Sequence, residues 1–253
     1  IMVPFRQAAV AIRVLKANGY HMCKPHLEHF YLRYGRSISF VNDEGDELDL
    51  HWHPMHEARG GSADNDFWDH AIPITVGGVS SLSMCAADNL LHAIVHGLRC
   101  NDMPPIRWVA DAVMLIGMKE HEVDWPRLLE KTEKYHVSMQ IKEALHYLDD
   151  IFHADVPDSV LKTLSGMRAG WANQVVYRHA MTIGEKSSEG FSQRLFTIYA
   201  NHVRQSPKKN FFYVNLGFAG YILKLAKGRS LAKLLKKYFL LLFQKNQLHE
   251  SFR

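Results

Sequence analysis

Residues 47–56 read ELDLHWHPMH, an alternation of polar and apolar side chains that runs into histidine and tryptophan. Side chains on a strand point by turns to its two faces. Leu48, Leu50 and Trp52 are therefore expected on a core face, and Glu47, Asp49, His51 and His53 on the opposite one. The first face suits folding. The second gathers groups suited to chemistry.

Just upstream, SISFV (residues 37–41) alternates in the same way, and NDEGD between the two runs supplies a glycine-bearing turn. Together they predict a β-hairpin. Ile1 to Val3 reads as the tail of a strand that Pro4 stops. Ala8, Ala9, Ile12, Val14 and Leu15 form a helical stripe within residues 5–18, with Gly19 as its cap. Residues 20–36 are polar and rich in histidine. Residues 54–81 read as loop, broken by Gly60-Gly61-Ser62, Pro73 and Gly77-Gly78.

A helix is predicted to start at Ser83 as N-cap and to run through NLLHAIVHGL. From there the chain reads as successive amphipathic helices: RWVADAVMLIGM, WPRLLEKTEKY, MQIKEALHYLDDIF, DSVLKTLSGM, and then SQRLFTIYANHV, GFAGYILKLAKG and SLAKLLKKYFLLLFQK. No repeat of fixed period is found. The expected architecture is α+β, with a small mixed sheet in residues 1–81 and a mainly α-helical domain in residues 82–253. The chain opens on isoleucine rather than methionine, so further residues are expected upstream.

The 253 residues are 47% apolar and 22% charged, which excludes a disordered or low-complexity chain. The net charge of +4 suits anionic partners such as nucleotides. Mild basicity without an aromatic-rich basic groove disfavours nucleic acid. Cys23, Cys85 and Cys100 show no C-x-x-C spacing, so neither a disulfide framework nor a four-cysteine zinc site is expected, and a reducing cytoplasm is the simplest setting. No apolar run is long enough to span a bilayer and no signal peptide is found. Residues 224–245 carry Lys224, Lys227, Arg229, Lys233, Lys236, Lys237 and Lys245 without an acid, beside a leucine stripe. An outer helix with its lysines in water is the favoured reading, and peripheral contact with an anionic membrane is the alternative.

An acidic residue on a strand's open face, next to another strand, is half of a two-metal phosphoryl-transfer site. Such sites need clustered carboxylates because Mg²⁺ takes hard oxygen ligands. Two ions about 3.5–4 Å apart stabilise the attacking and leaving oxygens. The order ELDLHW, LSMCAADNLLHAIVHGL, IRWVADAVMLI and VDWPRLLEKTEKY, preceded by IMVPFRQAAVAIRVLKANGY, resembles the uncharacterised nucleotidyltransferase family of the DNA polymerase β-like superfamily over residues 1–160. The resemblance implies transfer of a nucleotidyl group from an NTP, with ATP the expected donor, using two Mg²⁺. It makes Asp49 the third carboxylate, both catalytic and metal-binding. Its partners, an Asp-x-Asp pair, would lie just upstream of Ile1, and the family's Gly-Ser motif further upstream. The sequence given has neither, and by itself is expected to be inert. Gly60-Gly61-Ser62 comes after the third carboxylate, in the wrong order to be that motif.

Each residue also has a plainer reading. Asp49 alone would be a solvated strand residue; the ordered resemblance favours the catalytic role. Glu47 reads as a hairpin-end residue in water. His51 contacts phosphate or substrate, or is a hydrogen-bonded structural histidine. Trp52 reads as core, and His53 and His56 fall where strand gives way to loop. His92 and His96, at i and i+4, could share a zinc, but no third ligand accompanies them, and a packing or cleft-lining role is preferred. Arg107 is expected to pair with Asp111 one helical turn away, with phosphate or substrate binding as the sharper alternative. Asp124 caps a helix that has Pro126 in its first turn. Two other functions stay open. One is a catalytically degenerate module that binds a nucleotide or a protein. The other is a zinc hydrolase built on His92 and His96.

Overall fold

The computed structural model describes residues 1–55, 57–58, 63–98, 106–181, 199–200 and 202–203. Among these, the residues up to Met167 form one compact unit, and those from Arg168 onward a second.

The first unit begins with α1 (Ala8–Ala17), introduced by a 3-10 turn at Phe5–Gln7. Gly19, at φ +82°, lets the chain turn back after the helix. Strands β1 (His21–Met22), β2 (Ser37–Val41) and β3 (Glu47–His51) form an antiparallel sheet in that order. The predicted hairpin is β2–β3, in a register that sets Ser39 opposite Asp49 and Ser37 opposite His51. Its turn is built by Asn42, whose Oδ1 accepts from the amides of Glu44 (3.1 Å) and Asp46 (2.7 Å), while Gly45 takes φ +88°.

Alternation on the sheet follows the sequence. Ile38, Phe40 and Leu50 are buried, whereas Ser39, Glu47 and Asp49 are exposed. The buried side meets Ala8 and Ile12 of α1, Met22 and Trp52 in a small apolar core. Trp52 is fully enclosed and its indole N–H donates to the Gly35 carbonyl at 3.2 Å. Burying a side chain of this kind contributes about 1.5–3 kcal/mol. Ile1 to Val3 runs beside β3 in parallel, with the His51 amide donating to Ile1 O (2.8 Å) and the Val3 amide to His51 O (2.9 Å). The sheet is thus mixed, and the strand tail expected from IMVP is present.

Two stretches differ from the sequence expectation. The polar residues 20–36 contain β1 and a short helix, α2 (Glu28–Tyr34). The stretch read as loop contains α3 (Ala63–Asp69) and a second hairpin, β4 (Ile72–Val76) with β5 (Val79–Ser83). Gly77 and Gly78, at φ +56° and +80°, make its two-residue connection. Positive φ at both positions matches the twist of paired strands, so the glycines are a hairpin signal rather than a break. Gly60-Gly61-Ser62 and His56 lie outside the described residues.

Ser83 ends β5 and so cannot be the N-cap. The helix α4 (Ala86–Gly97) starts three residues later, with Cys85 in the capping position and Asn89 Nδ2 donating to Met84 O at 2.8 Å. It packs against α5 (Ile106–Gly117), α6 (Trp125–Lys134) and α7 (Ser138–Phe152), and α8 (Asp158–Gly166) closes the group. Leu90, Leu91, Ile94, Leu128, Ile141, Leu145, Leu148 and Leu164 are fully enclosed there. This second core, reached by Met55, Ala58 and Phe67, is separate from the one under the sheet. As expected, Asp124 caps α6: its carboxylate accepts from the Arg127 amide at 2.9 Å, with Pro126 in the first turn. Gly97 lets α4 and α5 approach, since a Cβ there would lie 2.2 Å from Trp108 Cβ.

In the second unit, α9 (Trp171–Met181) sets the Trp171 ring 6.4 Å from that of Tyr199. Cys23 and Cys85 are free thiols. Cys100 and the basic segment 224–245 lie outside the described residues. Among the described residues, no helix is long and apolar enough to cross a membrane.

Candidate functional site

The open face of the β2–β3 hairpin is polar because its alternate residues are serines and acids. Asp49 stands at the centre of β3, exposed, and its Oδ1 accepts from Ser39 Oγ across the ladder at 2.6 Å. Such short hydroxyl–carboxylate bonds are among the stronger ones. On the far side of β3, the backbone nitrogen of Ile1 donates to the Asp49 carbonyl at 3.0 Å. Asp49 is therefore held between two neighbouring segments while its carboxylate faces water.

His51, two residues on, is half-buried. Burial, and then the positive charge of Arg36, push its pKa down to about 4; Asp49 pulls the other way without prevailing. The ring is neutral at physiological pH and offers one donor and one acceptor. His96 of α4 adds to the downward push. His96 and His92 are half-buried, with ring centroids 5.3 Å apart and planes tilted by 34°.

The remaining residues are placed elsewhere. Glu47 is exposed at the hairpin end, opposite Val41. His53 lies past the strand, buried, with its ring stacked on Phe5 at 5.4 Å. Arg107 and Asp111 are both exposed on α5, and no ion pair joins them among the described residues. The expected intrahelical pair is therefore corrected. An exposed i, i+4 pair gains little, and ordering two long side chains offsets that gain.

Sequence reading also missed a buried charge network linking α3, α4 and α6. Arg127 clasps Asp88 with two bonds, Nε to Oδ1 at 3.1 Å and Nη2 to Oδ2 at 2.7 Å. Arg127 also reaches Asp66 Oδ1 at 3.3 Å and its carbonyl at 3.0 Å. Lys131 pairs with Asp66, and its ammonium sits 3.8 Å from the Phe67 ring centroid. Lys134 joins Asp66 from the surface at 3.2 Å. Asp88 is fully enclosed and the Lys131 side chain nearly so. Burial depresses the Lys131 pKa, with Asp66 and Asp88 opposing. Burial also works against charge on Asp66, but hydrogen bonds from Lys131 and Lys134 outweigh it and hold the carboxyl well below its usual range. A signal did exist: Asp88 falls on the same helical stripe as Leu91 and Val95, and Lys131 on that of Leu128 and Tyr135. A charge on an apolar stripe is a buried ion pair in waiting.

Asp49 offers hard oxygens exposed to solvent, which fits one donor of a divalent-cation site. Among the described residues, no three His, Cys, Asp or Glu side chains cluster as a complete metal site. The zinc pairing of His92 and His96 accordingly has no third ligand among them. A protein-family model described as "Uncharacterised nucleotidyltransferase" matches residues 1–153 of this chain. No curated protein and no solved structure matches it. The matched span holds the sheet, Asp49, His51 and the histidines of α4.

Proposed function

The chain belongs to the uncharacterised nucleotidyltransferase family, and from that premise we propose that Asp49 is a catalytic, metal-holding carboxylate for transfer of a nucleotidyl group from ATP to a hydroxyl or phosphate acceptor. The observation that carries this reading is the setting of Asp49: exposed, central on β3, fixed by Ser39, and beside a parallel segment at Ile1 to Val3. The acceptor oxygen bonds to the α-phosphorus as the bond to the bridging oxygen breaks, releasing pyrophosphate and a proton. Two Mg²⁺, when bound, would supply charge neutralisation at the triphosphate.

The chain's own residues orient and select. Asp49 contributes one carboxylate to the metal-holding set. The neutral ring of His51, with His92 and His96 of α4, lines the nucleotide side by hydrogen bonding. Arg107, exposed at the first turn of α5, is kept as a contact for a charged substrate group. The setting is the cytoplasm, in keeping with the free thiols of Cys23 and Cys85.

Calorimetric titration of ATP with Mg²⁺ into the full-length native protein tests this. Saturable, Mg²⁺-dependent binding is expected, and its loss in Asp49→Asn. Binding indifferent to Asp49 would move the protein to the degenerate, binding-only class.

A further inference from the structure

The Asp49 carboxylate has two oxygens in different circumstances. Oδ1 is tied to Ser39 Oγ at 2.6 Å, whereas no other described residue bonds to either oxygen of the carboxylate. The tie follows from the fold rather than from chance contact of two mobile surface groups. Ser39 and Asp49 are direct partners in the β2–β3 ladder, and Ile38, Phe40 and Leu50 anchor the two strands in the core on either side of them. A one-residue slip of either strand would turn that strand's member of the pair to the buried face and its apolar residues to water, so the apolar pattern keeps Ser39 and Asp49 on the same open face. Serine brings a hydroxyl on a single carbon, which reaches only its immediate cross-strand neighbour.

We infer that Ser39 is a positioning residue for the nucleotidyl-transfer site: its hydroxyl holds Oδ1 of Asp49 so that Oδ2 points at a divalent cation. The inference rests on the metal-holding reading of Asp49. Groups that orient a metal's ligands are worth about 10–100-fold in metal affinity. An ordinary cross-strand pair would instead affect stability slightly and metal affinity not at all.

The test uses the full-length protein with Mn²⁺ as probe, free Mn²⁺ being read by electron paramagnetic resonance with and without ATP, and thermal melting recorded alongside. Ser39→Ala is expected to weaken Mn²⁺ binding by about tenfold or more with little change in melting. Ser39→Thr, which keeps the hydroxyl, is expected to restore most of the affinity, and so covers the case of an alanine variant that folds poorly. In an Asp49→Asn background, Ser39→Ala should have no further effect. Wild-type affinity in Ser39→Ala, beside lost binding in Asp49→Asn, overturns the positioning role and leaves the metal-holding reading standing. Mn²⁺ binding that ignores Asp49 overturns both.

Discussion

Asp49 and Asp88 are both carboxylates on regular elements of one compact unit, yet their surroundings are opposite. Asp49 lies on an open sheet face with a single hydroxyl partner. Asp88 is sealed between helices and gripped by a bidentate guanidinium, with Lys131 Nζ at 3.9 Å. Each oxygen of Asp88 accepts from the buried guanidinium of Arg127, and the fully enclosed carboxylate is out of reach of solvent. Asp49 pays no such desolvation and stays exposed. A carboxylate's partners, more than its sequence neighbours, separate structural from chemical roles.

Breaking the buried side should have the largest effect. Asp88→Ala removes the bidentate partner of the buried Arg127 and leaves Asp66 as the carboxylate facing both Arg127 and Lys131, and a loss of about 3–5 kcal/mol is expected in urea unfolding. A smaller loss would mean that the network relaxes toward water.

Gly97→Ala comes next and connects the two regions. The new methyl would press on Trp108, and overpacking of this kind costs about 1–3 kcal/mol. Because His96 adjoins Gly97, the same change should also disturb the histidine side of the site. Chemical shifts of the His51 and His96 rings would report that shift.

The pH dependence of stability divides the regions again. Asp66 has a folded pKa below its unfolded value near 4. Its contribution is therefore complete above about pH 4 and lost as pH falls below that. Asp66→Asn should flatten the acid limb of a plot of urea midpoint against pH. His51 acts in a higher window: its folded pKa is about 4 against an unfolded 6.5. The unfolded chain binds the extra proton between those values, so stability falls as pH drops from about 6.5 to 4. His51→Gln should remove that slope.

The smallest effect on stability belongs to Asp49→Asn. An exposed residue with one partner is expected to change unfolding by no more than about 0.5 kcal/mol, even as Mg²⁺-dependent nucleotide binding disappears. A large destabilisation would instead place Asp49 with Asp88 as a structural group.

Local pattern determined a good part of this protein. The alternation in SISFV and ELDLHW specified the hairpin and the face on which Asp49 stands, because a period of two leaves one face on which Ile38, Phe40 and Leu50 are buried. The Asp124-Trp125-Pro126 cap and the amphipathic stripes determined α6 and α7 for similar reasons. Residues 54–81 were less legible, since Pro73 and the paired glycines mark a break or a hairpin according to whether the flanking runs pair. Tertiary structure alone decided which distant groups meet: Asp66, Asp88, Arg127 and Lys131 in one network. Periodicity says which face of an element is buried. It does not say which other element covers that face, and burial, partners and pKa all depend on that second choice.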